Sequence, residues 1–261
     1  MYYKYSPAGA RIPVDLDNMY TGKTLFLCGG APSLKEEKQL HMLAEPGISV
    51  MAMNNTSSIL PSVDFWVGCD KPGCYSPRIL LDPKPMKFAI IAKREMTFMS
   101  DPFHEYKLRD CPNMYFFGTH EKWTATTLLK KDRDFVWWKN TFWVAMQLAH
   151  RLGFRKVYLA GCSFNIGNKH YSYDFKLDDF QKNYNQRLYD QTITLMNIAK
   201  QHFDEQGFEV ISATPDSKLN DTYPHVSFDE AIEDALKDFP SDYELNKCKH
   251  SSEYLPKKQE A

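Results

Sequence analysis

The sequence predicts an α/β protein: one Rossmann-like domain with a mostly parallel sheet, flanking helices and a lid segment. Short apolar runs of strand length recur at Leu25–Leu27, Ile48–Met53, Lys87–Ile91 and Lys156–Ala160, as strands buried on both faces require. A segment of helical period, Thr141–Leu152, ends at Gly153 just before the last of these runs. Small or polar residues follow the strand ends, at Cys28-Gly29-Gly30, Asn54-Asn55, Gly68-Cys69-Asp70 and Gly161-Cys162-Ser163-Phe164. Open α/β sheets hold their ligands at such ends.

The chain has 261 residues, which suits one large domain with small appendages. The expected division is an N-terminal arm over 1–20, the domain over 21–239 and a polar tail over 240–261. With 43% hydrophobic and 14% aromatic residues the domain can bury a substantial core. The formal charge of −1 argues against a protein that coats nucleic acid, and leaves room for a local basic patch. Six cysteines are scattered with no C-x-x-C pair. Cys28 and Cys162 lie in strand-like surroundings, so buried free thiols in a reducing, cytoplasmic compartment are expected. The opening MYYKYSPAGARIPVD has no apolar stretch of the signal-peptide type, and no run approaches the ~18 apolar residues of a membrane span. No integral membrane association is expected.

In chain order, Thr24–Leu34 reads TLFLCGGAPSL, a strand, a small-residue turn and a helix start. Gly29 and Gly30 can take positive φ and admit a ligand to the backbone, and Pro32 and Ser33 suit a helix entry with Leu34 as staple. The turn reads either as a phosphate cradle or as an ordinary first turn, since it is not G-x-G-x-x-G. Lys35–Leu43 is expected as a helix stopped by Gly47. Strands follow at Ile48–Met53, Asp64–Val67, Lys87–Ile91 and Asn113–Phe117. Residues 118–138 are irregular, basic and aromatic, and connections this long are often functional. Within them Lys130-Lys131-Asp132-Arg133, beside Trp123, Trp137 and Trp138, reads either as a stacking patch for a nucleic-acid acceptor or as a solvated loop over aromatic core. Asp132-Arg133-Asp134 lacks the preceding strand that a D-x-D metal site needs, and His120 and His170 are lone histidines, so no metal site is expected. Thr141–Leu152 is the clearest helix, capped by Asn140 or Thr141. After strand Lys156–Ala160, residues 165–185 are polar and tyrosine-rich, as in a mobile lid. Gln186–Gln206 is expected as a long helix, Glu209–Ser212 as the last strand and Phe228–Leu236 as a short acidic helix.

Several of these segments together resemble one family. Gly29-Gly30-Ala31-Pro32-Ser33-Leu34 is similar to the G-x-G-P-S-L turn of bacterial sialyltransferases of glycosyltransferase family 42, shared with motility accessory factors that glycosylate flagellin and with archaeal hydroxymethylpterin diphosphokinase. The strand ending at Asn54-Asn55 resembles the family strand whose terminal asparagine meets the nucleotide. Thr141–Asp174 resembles, without gaps, the family's helix, strand, Gly-x-x-Phe loop and tyrosine-bearing lid entrance, and Pro215-Asp216-Ser217 resembles its final Pro-x-Ser. The resemblance spans roughly Thr24 to Leu219. It implies that Gly29, Gly30, Ala31 and Ser33 lie against donor phosphate or ribose, and that Asn54 meets base or ribose. It further implies that Thr141 holds a polar donor group, that Gly161, Ser163 and Phe164 line the base pocket, and that Tyr171 stabilises the departing phosphate in place of a metal. Here Gly30 replaces the family's turn asparagine and Asn165 its second leaving-group tyrosine. Its general-base histidine falls at Tyr189 or Asp190.

The expectation is a metal-independent glycosyltransferase that takes a nucleotide sugar as substrate, uses no separate cofactor and acts on a glycan or a modified DNA base. Asp190 beside the lid is the candidate base, with Tyr189 and Tyr171 as further catalytic candidates, and Asn55 and Asp70 are added to the donor site from their strand ends. An ATP-dependent phosphotransferase, a non-catalytic nucleotide-binding protein and assembly as a homo-oligomer are the alternatives carried forward.

Overall fold

The computed structural model describes residues 1–100, 103–120, 124, 128–167, 171–173 and 176–237. Trp123, His170, Asp174 and the expected tail over 240–261 lie outside the described residues. The first strands, β1 (Tyr2–Tyr5) and β2 (Arg11–Val14), form an antiparallel hairpin. β3 (Thr24–Cys28), β4 (Ser49–Met53), β5 (Phe65–Gly68) and β6 (Met86–Ile90) follow. A small hairpin of β7 (Thr97–Ser100) and β8 (His104–Lys107) precedes β9 (Met114–Phe117). β10 (Thr119–His120) and β11 (Phe135–Val136) pair with each other, and β12 (Lys156–Ala160) and β13 (Glu209–Ser212) complete the set.

Nine strands among the described residues make one sheet in the order β13-β12-β3-β4-β5-β6-β9-β1-β2. It is parallel from β13 to β9 and antiparallel at β1 and β2. The chain steps outward from β3 through β4, β5 and β6 to β9, then returns to lay β12 on the other side of β3. Connections therefore leave β3 and β12 in opposite directions, and a crevice opens beyond their C-terminal ends.

The period-two alternation of each strand builds two apolar layers. Leu25 and Leu27 join the layer that contains α3 (Thr141–Leu152) and the inner positions of α4 (Asp179–Glu205). Phe26 and Cys28 point to the other, with Leu34 and α5 (Phe228–Leu236). Each such fully buried Leu or Phe contributes roughly 1.5–3 kcal/mol. All twelve residues of α3 are buried. Two of its polar side chains bond to the backbone of the preceding segment. Gln147 donates to Val136 O at 2.8 Å and accepts from Val136 N at 2.9 Å. Arg151 donates to Lys130 O and Arg133 O at 2.8 and 2.7 Å and stacks on Phe135, which pins the basic loop from beneath. Gly153, at φ 105°, ends α3 as expected.

Three expectations are corrected. Residues 1–20 are no free arm: β1 and β2 continue the sheet beyond β9, and Tyr2, Leu16 and Tyr20 are core residues. The hairpin covers what would be an open edge, and Pro13 blunts the new one. Lys35–Leu43 is not one helix but a short α1 (Ser33–Glu36) and a 3-10 turn, Leu40–Ala44. The long helix starts at Asp179 rather than Gln186, so the last third of the expected lid is its first two turns. That start carries a capping box, in which Gln181 N donates to Asp178 Oδ1 at 2.7 Å and Asp178 N donates to Gln181 Oε1 at 3.1 Å.

Candidate active site

Two turns meet at the crevice between β3 and β12. Gly29 N donates to Ala160 O at 2.8 Å and Ala31 N to Gly161 O at 2.9 Å. A Cβ on Gly29 would stand 2.5 Å from Gly161 O, and one on Gly161 2.7 Å from Gly29 O. The two backbones touch, so neither position admits a side chain. This corrects the expected backbone conformation of the first turn. Of the glycines in the two turns, positive φ falls at Gly161 (63°), not at Gly29 or Gly30, and Gly29 is required by chain packing. Gly30 is different: its carbonyl accepts from Ser172 N at 2.8 Å, and a Cβ there would press on the rings of Tyr171 and Tyr173 at 3.1 Å. The glycine turn is thus roofed by the tyrosines of the lid entrance. Behind it, Ser217 Oγ donates to Cys162 O at 2.7 Å and Thr214 Oγ1 accepts from Cys162 N at 3.0 Å, so the final loop braces the second turn.

Between turns and roof lies an inner cavity of about 110 Å³. Gly29, Gly30, Ala31, Asn54, Thr141, Gly161, Ser163, Phe164, Tyr171 and Tyr189 all line it, which brings most of the sequence-predicted residues together. Asn54 and Phe164 both hold positive φ, at 53° and 54°. Left-handed backbone is costly for an aromatic residue, and such strain collects at functional sites. Thr141 Oγ1 donates to Asn54 Oδ1 at 3.3 Å, and Phe164 meets Phe142 edge-on at 5.0 Å. Asn140 accepts from Phe142 N at 3.0 Å and donates to Thr192 Oγ1 at 2.8 Å, capping α3 and tying it to α4. The N-terminus of the fully buried α3 thereby sits at the cavity wall, where its dipole favours an anion.

The phenols form a connected group. Tyr171 and Tyr173 stack at 5.0 Å with planes 5° apart. Tyr171 Oη accepts from Asn185 Nδ2 at 3.2 Å and shares a hydrogen bond with the Tyr189 hydroxyl. Burial raises the pKa of Tyr171, Tyr173 and Tyr189 above the usual phenol value, so all three stay neutral hydrogen-bonding groups at physiological pH. No carboxylate, histidine, lysine or arginine lines the inner cavity among the described residues.

Beside the inner cavity lies an outer one of about 540 Å³, and the two share Asn54, Asn140, Thr141, Tyr171, Tyr173 and Tyr189. Its far wall is the start of α4, where Phe180 is 79% exposed and Tyr184 is 42% exposed. Asn55 and Asp70 belong to this outer cavity. Asn55 is structural: it donates to Cys74 O at 2.9 Å and accepts from Ser76 N at 3.1 Å.

Two candidates are misplaced. Ser33 lines a separate acidic groove with Glu36, Glu37 and Asp216 and does not reach the inner cavity. Asp190 lines neither cavity. Its exposed carboxylate accepts from Gln186 at 2.9 Å and from Lys218 at 3.2 Å, and those bonds hold its pKa below the usual carboxylate range. The helical turn of about 100° per residue aims Tyr189 inward and Asp190 away. Sequence reasoning missed Thr56, a buried wall residue whose hydroxyl has no hydrogen-bond partner among the described residues, on the 3-10 turn that follows β4. The polar run Asn54-Asn55-Thr56 at a strand end was the available signal. Cys28 and Cys162 are buried free thiols, as expected.

No family model and no curated protein matches the chain. Its fold is similar to two solved structures. One is the MAf glycosyltransferase from Magnetospirillum magneticum AMB-1, at 11% identity and a TM-score of 0.49, over 81% of this chain and 35% of that one. The chain thus spans about a third of that protein's length. The other is the sialyltransferase CstII from Campylobacter jejuni in complex with a substrate analogue, cytidine-5'-monophosphate, at 12% identity and a TM-score of 0.41, over 78% and 85% of the two chains. Likenesses this loose reach the outline of the fold and no residue's role. No helix among the described residues is long and apolar enough to cross a membrane.

Proposed function

We propose that the chain is a glycosyltransferase that binds a nucleotide sugar across the two cavities and passes its sugar to an acceptor in the outer one. The observation that carries this reading is that the two cavities adjoin at the β3/β12 crevice, with Asn54, Thr141 and the three tyrosines lining both. The inner cavity is too small for a whole nucleotide sugar and suits one end of it, while the outer cavity has room for the transferred sugar and an acceptor. The junction is where a leaving phosphate would sit. There the α3 N-terminus and neutral phenols can stabilise the developing negative charge without reorganising. The wall supplies those donors in place of a carboxylate cluster, which favours a reaction without a metal and without a cofactor beyond the donor itself.

The test is calorimetric titration of the protein with nucleotides and nucleotide sugars carrying CMP, UDP, GDP or dTDP, with and without Mg²⁺, followed by donor hydrolysis. One nucleotide sugar should bind in either condition and be hydrolysed, and Tyr171→Phe should slow hydrolysis on the order of tenfold or more. Failure of every compound to bind would sink the reading.

A second reading is a nucleotide-binding protein without catalysis. The inner cavity's lack of any charged acid or base favours it, and tight binding with no product over hours would establish it.

A further inference from the structure

With Asp190 turned out of the site, the transfer reaction needs another group to take the acceptor's proton. We infer that Asp70 is that catalytic base, an inference that rests on the glycosyl-transfer reading above. Among the described residues Asp70 is the carboxylate on the walls of the two adjoining cavities, and no histidine lines either. The other ionisable groups there are phenols, the thiols of Cys74 and of buried Cys162, and the ammonium of Lys139, which has no lone pair to offer.

The backbone at Asp70 is fixed while its side chain stays exposed. Asp70 N donates to Tyr75 Oη at 2.6 Å, and Tyr75 is wedged edge-on against buried Trp66 at 4.9 Å. Lys93 Nζ donates to the carbonyl of Cys69, the preceding residue. A carboxylate on a rigid strand end, with its head open to the cavity, can reach and accept a proton from an acceptor held there. It also stands near the tyrosine roof, since its charge adds to the upward push on the Tyr171 and Tyr173 phenols. The base and the proposed leaving-group donors therefore flank one space, the outer cavity beside its junction with the inner one.

The step balances as follows. The acceptor oxygen forms a bond to the anomeric carbon while the bond from that carbon to the phosphate oxygen breaks, its electron pair staying on the phosphate. The acceptor's proton passes to the Asp70 carboxylate and then to solvent. The products are the glycosylated acceptor and the free nucleotide, with no oxidant or reductant involved.

The experiment compares wild type, Asp70→Asn and Asp70→Glu in the intact chain, using the nucleotide sugar selected by the titration above and water as acceptor. Donor affinity should stay within about threefold in Asp70→Asn, while hydrolysis falls 10²–10⁴-fold, the usual contribution of a general base. Asp70→Glu should recover part of the rate. Sodium azide separates a base from a structural residue, because an anionic nucleophile needs no deprotonation: it should restore turnover in Asp70→Asn and yield the glycosyl azide. Hydrolysis at the wild-type rate in Asp70→Asn overturns the assignment, as does a loss that azide does not relieve. If wild type binds the donor and hydrolyses it, either result condemns Asp70 alone; if wild type binds no donor, the transfer reading falls with it.

Discussion

The floor of the inner cavity and the far wall of the outer one are built on opposite principles. The floor is backbone against backbone. Gly29 and Gly161 touch, Ala31 and Gly161 share a hydrogen bond, and the strands beneath are buried from their second residue on. The wall is side chains on the first turns of α4, with Phe180 and Tyr184 stacked on each other at 6.4 Å and open to solvent. The floor cannot change sequence without moving the sheet, whereas the wall can change freely at little cost in stability. A site arranged in this way holds a constant part of its ligand on the floor and can vary what it accepts at the wall.

That contrast can be broken most directly at the floor. Gly29→Ala and Gly161→Ala should each destabilise the fold by about 3 kcal/mol, because main-chain atoms cannot yield and Gly161 also needs positive φ. Thermal unfolding should show melting temperatures lower by roughly 10 °C, and a change below about 2 °C would mean the turns are not locked together. Gly30→Ala meets ring atoms that can swing, so its stability cost should be far smaller.

The floor should also impose a sign on the alkaline response. Burial pushes the Cys162 thiol from 9.0 up to about 12. Between those values the folded protein binds a proton that the unfolded chain has lost, so stability falls as pH rises, by up to ~1.4 kcal/mol per pH unit for this group. Urea denaturation from pH 9 upward should show a steeper loss in wild type than in Cys162→Ala. Equal slopes would place the thiol in contact with water.

At the wall the effects shrink. Asp178→Ala removes the cap of α4 and should cost about 1 kcal/mol, seen as fraying of its first turns in circular dichroism. Phe180→Ser should leave stability within about 0.5 kcal/mol, as expected of an exposed side chain, yet raise the KM for the acceptor with donor affinity unchanged. A large loss of stability there would show that the wall is core after all.

The two regions also differed in how far they could be read from sequence. The parallel strands, α3 with its Asn140 cap and Gly153 stop, and α5 were legible, because each carries its own period and its own end signals. The start of α4 was not. Its first turns face solvent and cavity, so no apolar stripe marks them, and only the capping pair Asp178 and Gln181 betrays the helix. The first hairpin escaped for a related reason: its strands have a single deeply buried tyrosine, Tyr2, and acquire meaning from the edge of β9 they cover.

Sequence alone determined which residue types stand at each strand end, and with them the polar character of the site: Asn54, Thr141, Ser163 and the tyrosines are there because local chemistry put them there. Tertiary structure decided direction. Asp190 and Tyr189 are neighbours in the chain, yet one reaches Lys218 and the other the cavity, because a helix rotates successive side chains and packing against Phe164 fixes which of them faces in. Gly29 and Gly30 are likewise adjacent, and only the approach of β12 from the other side of β3 makes one a packing contact and the other the seat of the tyrosine roof.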